Sequence, residues 1–147
     1  MIDIENAVID RITQAVTGAF PGATVLGDYI EEIESFPTVT VTEINNETLL
    51  RMQDDAGVEH YARITYEVNI YTNDRVGKKT KAKDVMDVID EVMFPLNFVR
   101  RTTRRLMAID HSRTVFRLYA RYQVIADEGT TITEDGEEVT THYLYRR

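Results

Sequence analysis

The fold is decided by the stretch from residue 61 to residue 71, which reads YARITYEVNIY. Its apolar and polar residues alternate one by one, and the apolar set is Ile64, Tyr66, Val68 and Ile70. Alternation with a period of two predicts a β-strand that buries one face and exposes the other. Turn residues follow from Asn73 to Gly77, and an amphipathic helix is predicted at Lys79–Met93. A long strand that leads into a helix is typical of a small α+β domain.

The segments before this strand also carry regular patterns. Apolar residues recur at helical spacing over residues 3–19, which predicts an amphipathic helix with Asp3 as its N-cap. A short strand is predicted at Thr24–Leu26. Pro37 precedes a second strand, Thr38–Thr42, which is rich in β-branched residues.

The pattern then dissolves between Asn45 and Glu59, where asparagine, aspartate and glycine indicate a loop. Long loops in compact domains are usually functional or mobile, so this one is predicted to be an interface element that orders against a neighbour.

Two hairpins are predicted after the second helix. The first joins a strand at Phe98–Ile109 to an antiparallel partner at Thr114–Ala126. The second, Thr130–Tyr145, turns at Asp135-Gly136, a strong type I′ signal. Isolated hairpins are marginal in water, so it either adds to the main sheet or docks on another chain.

These patterns predict an α+β fold: a mixed, mostly antiparallel sheet with two helices packed on one face, plus a C-terminal β-hairpin. Residues 1–126 are predicted to form a single domain and residues 127–147 a hairpin extension.

Composition excludes several classes of protein. The 147 residues are 43% hydrophobic and 29% charged, as in globular domains. No apolar run is long enough for a transmembrane span, and the N-terminus does not resemble a signal peptide. Cysteine is absent, which removes disulfides and thiolate metal sites and favours a cytosolic setting.

The charges are sorted along the chain. Residues 1–74 carry 3 basic and 14 acidic side chains, residues 75–121 carry 12 and 5, and residues 122–147 carry 2 and 6. This asymmetry favours head-to-tail complementarity between copies or with a partner, although the charges can equally interleave in the folded chain.

No catalytic, cofactor or metal site is predicted. Val76–Thr80 faintly resembles a phosphate loop. Thr72 stands at the position of the upstream glycine, however, and Lys79 stands where serine or threonine should follow the lysine. Asp84, Asp87 and Glu91 share a helix side and have oxygens suited to a hard cation, yet a solvated helix face is the favoured interpretation. A hydrolytic site among the many carboxylates stays open, because nothing singles one out.

Seven arginines form the chemically prominent feature, and they fall within or between the two strands of the first hairpin: Arg100, Arg101, Arg104, Arg105, Arg113, Arg117 and Arg121. With neighbouring tyrosines they suit a nucleic-acid backbone, but the sequence pI near 4.9 argues against that role. Arginine also bridges carboxylates at protein interfaces, and this interpretation is favoured. The densest acidic run supplies the predicted partners, Glu31, Glu32 and Glu34.

Two segments resemble the tail terminator (tail completion) proteins of long-tailed bacteriophages. FPTVTV, residues 36–41, is similar to the opening of a strand in that family. YEVNIY, residues 66–71, followed by Gly77 and a helix, resembles its central strand, turn and helix. The resemblance spans about residues 4–126 and consists of strand and helix patterns, without catalytic residues.

The resemblance implies a structural virion protein of the tail or neck, assembled in the host cytoplasm. Such proteins form a homohexameric ring that ends the tail tube and joins it to the head connector, and DNA passes through the pore without specific binding. The sorted charges suit the heterologous interface that a ring needs. The alternatives are another head-tail joining, neck or tail tube subunit, a small nucleic-acid-binding α+β domain, and an unrecognised hydrolase.

Overall fold

The computed structural model describes residues 1–27, 35–49, 61–106, 115–127 and 144–145. For residues 104–106, 127 and 144–145 the description covers the backbone only.

Two helices and a mixed sheet make up the described chain, which is an α+β fold as the sequence predicts. The elements are α1 (Glu5–Ala19), β1 (Thr24–Leu26), β2 (Thr38–Thr48), β3 (Tyr61–Thr72), α2 (Lys78–Met93), β4 (Val99–Leu106), β5 (Phe116–Asp127) and β6 (Leu144–Tyr145).

The main sheet has five strands in the order β1-β2-β3-β5-β4, and β6 pairs with β5. β1 lies parallel to β2, and the other pairs are antiparallel. Because β3 and β4 both run antiparallel to β5, they run parallel to each other. α2 joins them and packs against β3 and β5. The last strand of the predicted hairpin is therefore inserted between β3 and β4.

Both helices pack on one face of the sheet and bury their predicted apolar stripes. α1 buries Val8, Ile12 and Val16, and α2 buries five residues: Ala82, Val85, Met86, Ile89 and Met93. The apolar set of β3 is fully buried beneath them. Burial of each large aliphatic or aromatic side chain contributes about 1.5–3 kcal/mol. This layer is the core of the domain.

β5 shows the predicted alternation. One set of alternate residues is buried on the helix side: Phe116, Leu118, Ala120, Tyr122 and Val124. The antiparallel pairing of β4 with β5 confirms the first hairpin, and its connection, residues 107–114, lies outside the described residues.

The loop predicted from Asn45 to Glu59 begins later in the structure than the sequence pattern indicates. β2 continues through Asn45 and Asn46 to Thr48 and stays paired with β3. A register shift between Glu43 and Asn45 accommodates the change of pattern, and the side chain of Asn46 donates to the carbonyl oxygen of Ile2 at 2.8 Å. Pairing with β3 overrides the local turn preference of asparagine. Residues 50–59 of the predicted loop lie outside the described residues.

The helix starts differ from the prediction by one residue. The N-cap of α1 is Ile4, while the Asp3 carboxylate still accepts a hydrogen bond from the backbone N–H of Glu5 at 3.2 Å. α2 begins at Lys78, after Gly77 adopts a left-handed φ of 84° that favours glycine.

Of the predicted C-terminal hairpin, only Leu144 and Tyr145 are described, and they pair antiparallel with Ala126 and Ile125 of the main sheet. The remaining hairpin residues lie outside the described part. Neither described helix combines the length and apolar character needed to cross a membrane.

Candidate protein interface

The candidate site is the sheet face opposite the helices, here called the open face. In the described part of the chain no helix packs on it. Strand alternation sends every second residue of β3 and β5 to it: Arg63, Thr65, Glu67, Asn69 and Tyr71 from β3, and Arg117, Tyr119, Arg121, Gln123 and Ile125 from β5. Polar side chains dominate this set, and arginine supplies the cations.

Arg117 is held by two neighbours on β3. Its Nε donates to the Oδ1 of Asn69 at 2.8 Å, and its guanidinium carbon lies 5.8 Å from the ring centroid of Tyr71. Cation–π contacts occur within about 6 Å. Asn69 is fully buried and Tyr71 nearly so. The guanidinium is therefore oriented by fixed partners on the same face.

Arg121 forms an ion pair with Glu67, its cross-strand partner. The Nε–Oε2 distance is 3.5 Å, and the arginine side chain remains 48% exposed. The other oxygen of Glu67 accepts a long hydrogen bond, 3.4 Å, from the amide of Asn69. Asn69 and Glu67 thus connect Arg117 and Arg121 in one polar network across the strand pair.

Arg101 reaches the open face because of a β-bulge in β4. The register shifts between Arg100 and Thr102, so that one extra residue is inserted opposite β5. The Nε of Arg101 donates to the Oε1 of Gln123 at 3.2 Å, and the amide of Gln123 donates to the Oγ1 of Thr65 at 3.4 Å. The bulge adds a third arginine beside Arg121.

Arg100 points to the other side of the sheet. It forms an ion pair with Asp90 of α2. The carboxylate of Asp90 also accepts a hydrogen bond from the hydroxyl of the buried Tyr122. Burial and the hydrogen bond to Asp90 raise the pKa of Tyr122 well above its ordinary value. Arg100 therefore joins α2 to the sheet and is not part of the open face.

A second tyrosine–carboxylate contact lies beside it on the helix side. The hydroxyl of Tyr66 donates to the Oε1 of Glu43 at 3.0 Å, and Tyr66 packs edge-on against Phe98 with ring centroids 5.8 Å apart. Burial is the main cause of the raised pKa of Glu43, and burial likewise raises the pKa of Tyr66. Both tyrosines stay protonated and act as structural donors.

Charge on the open face is predominantly positive among the described side chains. Arg63 pairs with Glu47 at 3.0 Å, and both side chains are substantially exposed. Together with the network, the face presents four arginines and two glutamates. In a chain of net charge -8, such a surface is suited to an acidic partner.

The fold places only some of the predicted site residues on the open face. Arg101, Arg117 and Arg121 come together on the open face, and Arg100 does not join them. Arg104 and Arg105 lie in β4, in backbone register with Tyr119 and Leu118. The predicted partners Glu31, Glu32 and Glu34, and also Arg113, lie outside the described residues.

Three residues that orient the arginines were missed by the sequence analysis: Glu67, Asn69 and Gln123. Their alternation within β3 and β5 places them on the same side of those strands as Arg117 and Arg121, which was a usable signal. Their pairing with particular arginines depends on the register of β3 against β5, and local periodicity does not contain that information.

The helix residues Asp84, Asp87 and Glu91 are all exposed. In the described part of the chain, no three His, Asp or Glu side chains form a group that could hold a metal ion. Comparison of the sequence with protein-family models and with curated proteins finds no match.

Proposed function

We propose that this chain is a structural subunit of a phage tail or neck, and that it assembles into a ring through the open face. The observation that carries the proposal is the set of oriented arginines, Arg101, Arg117 and Arg121, on a sheet face that no described helix covers. The resemblance to tail terminators adds the biological setting: a hexameric ring that ends the tail tube and contacts the head connector.

The arrangement of the arginines favours a protein partner over a nucleic acid. Each of the three is already hydrogen-bonded or ion-paired to a side chain of its own sheet. Glu67 lies beside Arg121 and repels phosphate, whereas nucleic-acid surfaces are predominantly positive. The carboxylates of a neighbouring subunit or tail component fit the outer edges of these guanidinium groups. Glu31, Glu32 and Glu34 remain the predicted partners.

The test compares two substitutions on the open face with two on α1. Arg117→Glu with Arg121→Glu is expected to abolish assembly, seen by native mass spectrometry and negative-stain electron microscopy, because the pairing charges are reversed. Asn6→Glu with Gln14→Glu, on exposed positions of α1, is the control and should assemble as the wild type does. Reversal of the Glu31, Glu32 and Glu34 run to lysine should restore part of the assembly.

A milder variant tests whether the loss of assembly is caused by misfolding. Arg101→Gln with Arg121→Gln keeps hydrogen-bonding groups. The Glu67 carboxylate, which is 14% exposed, also keeps its hydrogen bond from Asn69, so the expected loss of folding stability is about 1 kcal/mol. Its assembly should weaken while its melting temperature stays close to the wild-type value. A two-fold dimer as the only assembly would contradict the proposal. DNA binding that is lost in these variants while assembly persists would make the open face a nucleic-acid site instead.

A further inference from the structure

In α2 the basic side chains lie toward the N-terminus and the acidic ones toward the C-terminus, which is the unfavourable arrangement for the helix dipole. Five cations lie in or just before its first half: Arg75, Lys78, Lys79, Lys81 and Lys83. Three carboxylates lie in its second half, Asp87, Asp90 and Glu91, and Asp84 precedes them near the middle of the helix. A helix N-terminus is partially positive and favours acidic side chains, and the C-terminus favours basic ones. The first turn of α2 contains no acidic residue and its last turn no basic residue.

Contacts within the chain relieve only part of this opposition. Lys81 lies 3.7 Å from Asp74, and Asp90 pairs with Arg100. Asp87 and Glu91 are exposed one turn apart, where like charges repel each other. The two ends of α2 therefore present surfaces of opposite charge to their surroundings.

The same two ends differ in shape. Val76, in the turn before α2, is 90% exposed, which is unusual for a large apolar side chain. At the other end, an open cleft of about 260 Å³ is lined by Phe94, Phe98, Val99 and Arg100. α2 has 16 residues and is therefore about 24 Å long. An apolar protrusion and a partly apolar cleft thus lie at opposite ends of one rigid element.

We propose that a second copy of this chain docks head to tail along α2. The basic end with Val76 of one copy contacts the acidic end and the cleft of the next, so that opposite charges meet and the helix dipoles align. The contact is heterologous, and a pair of copies keeps one free end of each kind, to which further copies can add. It adds a second contact between neighbours to the one proposed through the open face, and it rests on the proposed function only for closure into a ring.

Two charge-reversed variants test the contact. Lys79→Glu with Lys83→Glu lowers the net charge of the basic end by four, and Asp87→Lys with Glu91→Lys raises the net charge of the acidic end by four. Each variant alone should self-associate at least ~10-fold more weakly in sedimentation velocity, because the charge complementarity between the two ends is lost. The monomer of each should melt within about 2 °C of the wild type, because the better match to the dipole is offset by new like-charge pairs at four-residue spacing. Misfolding would lower the melting temperature.

Mixing the two variants is the decisive measurement. An equimolar mixture should recover the self-association of the wild type, with copies alternating. Native mass spectrometry of one isotope-labelled variant with the other unlabelled should then show equal numbers of each. Asp10→Lys with Gln14→Lys is the control, because these exposed α1 positions have the same four-residue spacing as Asp87 and Glu91. It should associate as the wild type does.

The apolar contact has its own variant. Val76→Ser should weaken association about 10-fold through the loss of buried apolar area. The proposal is overturned by reversed variants that associate normally, by a mixture that stays dissociated, or by a wild type that is monomeric up to about 1 mM. If the α2 variants assemble normally and the arginine variants do not, the α2 contact is rejected and the open face stands.

Discussion

The two faces of the β3–β5 strand pair come from the same two segments and differ completely in chemistry. Tyr66 and Tyr122 are cross-strand partners under the helices, fully buried, and each donates to one carboxylate. Their sequence neighbours Glu67 and Arg121 are also cross-strand partners, on the open face, and form a half-exposed ion pair.

The difference separates stability from recognition. On the helix side, apolar area and single buried hydrogen bonds supply the free energy of folding. On the open face, the partly exposed ion pairs contribute less to that free energy, and their arginines can also bind a partner. Substitutions on the helix side should therefore change folding, and substitutions on the open face should change assembly.

The largest effect on folding is expected from Phe98→Ala. Phe98 is 1% exposed and contacts the ring of Tyr66, so truncation leaves a cavity and should cost about 3–5 kcal/mol of unfolding free energy. Phe94, four residues earlier, is 38% exposed. Phe94→Ala is the matched control and should cost less than about 1 kcal/mol in the monomer. Urea unfolding measures both, and equal losses would show that the core does not extend to Phe98 as described.

A smaller effect is expected from removing one hydroxyl group on the helix side of β5. Tyr122→Phe removes the hydrogen bond to Asp90, which keeps Arg100 as a partner, and should cost about 1.5 kcal/mol. Tyr119→Phe, on the open face of the same strand, should change stability by less than about 0.5 kcal/mol. Thermal unfolding of both variants decides the matter. A larger loss for Tyr119→Phe would reverse the assignment of the two faces.

The smallest effect concerns Glu43, and it depends on pH. Burial raises the pKa of Glu43 above 4.5 in the folded chain, so the folded state holds this proton more tightly than the unfolded state does. Its contribution to stability is therefore greatest near or below pH 4.5 and falls as the pH rises through the folded pKa.

Glu43→Gln removes the charge and keeps an oxygen that accepts the Tyr66 hydroxyl. The variant should be more stable than the wild type at pH 7, by less than about 1 kcal/mol, and the difference should shrink toward pH 4.5. Urea unfolding at the two pH values measures it. Glu47→Gln, at an exposed position of the same strand, is the control. A Glu43→Gln variant that is less stable at pH 7 would contradict the assignment.

Much of the fold could be predicted from local pattern. The period of two in β3 and β5 and the helical spacing in α1 and α2 place their bounds within about two residues, because burial of one face imposes these periods on the sequence. The chemistry of the arginine cluster was also visible as a set of residue types. How the arginines divide between the two faces was not, since Arg100 and Arg101 are neighbours in the sequence and the bulge in β4 determines which of them reaches Gln123.

The sequence by itself determined which residues of each strand share a face, where the two helices lie and how charge is distributed along the chain. Only the tertiary structure decided that β5 lies between β3 and β4, that β2 runs on through Asn45 and Asn46, and that Asn69 holds Arg117. The physical reason is the separation along the sequence of the residues that determine each feature. Periodicity is a property of neighbouring residues, whereas strand order and register depend on packing and backbone pairing between segments more than 40 residues apart, as for Asn69 and Arg117.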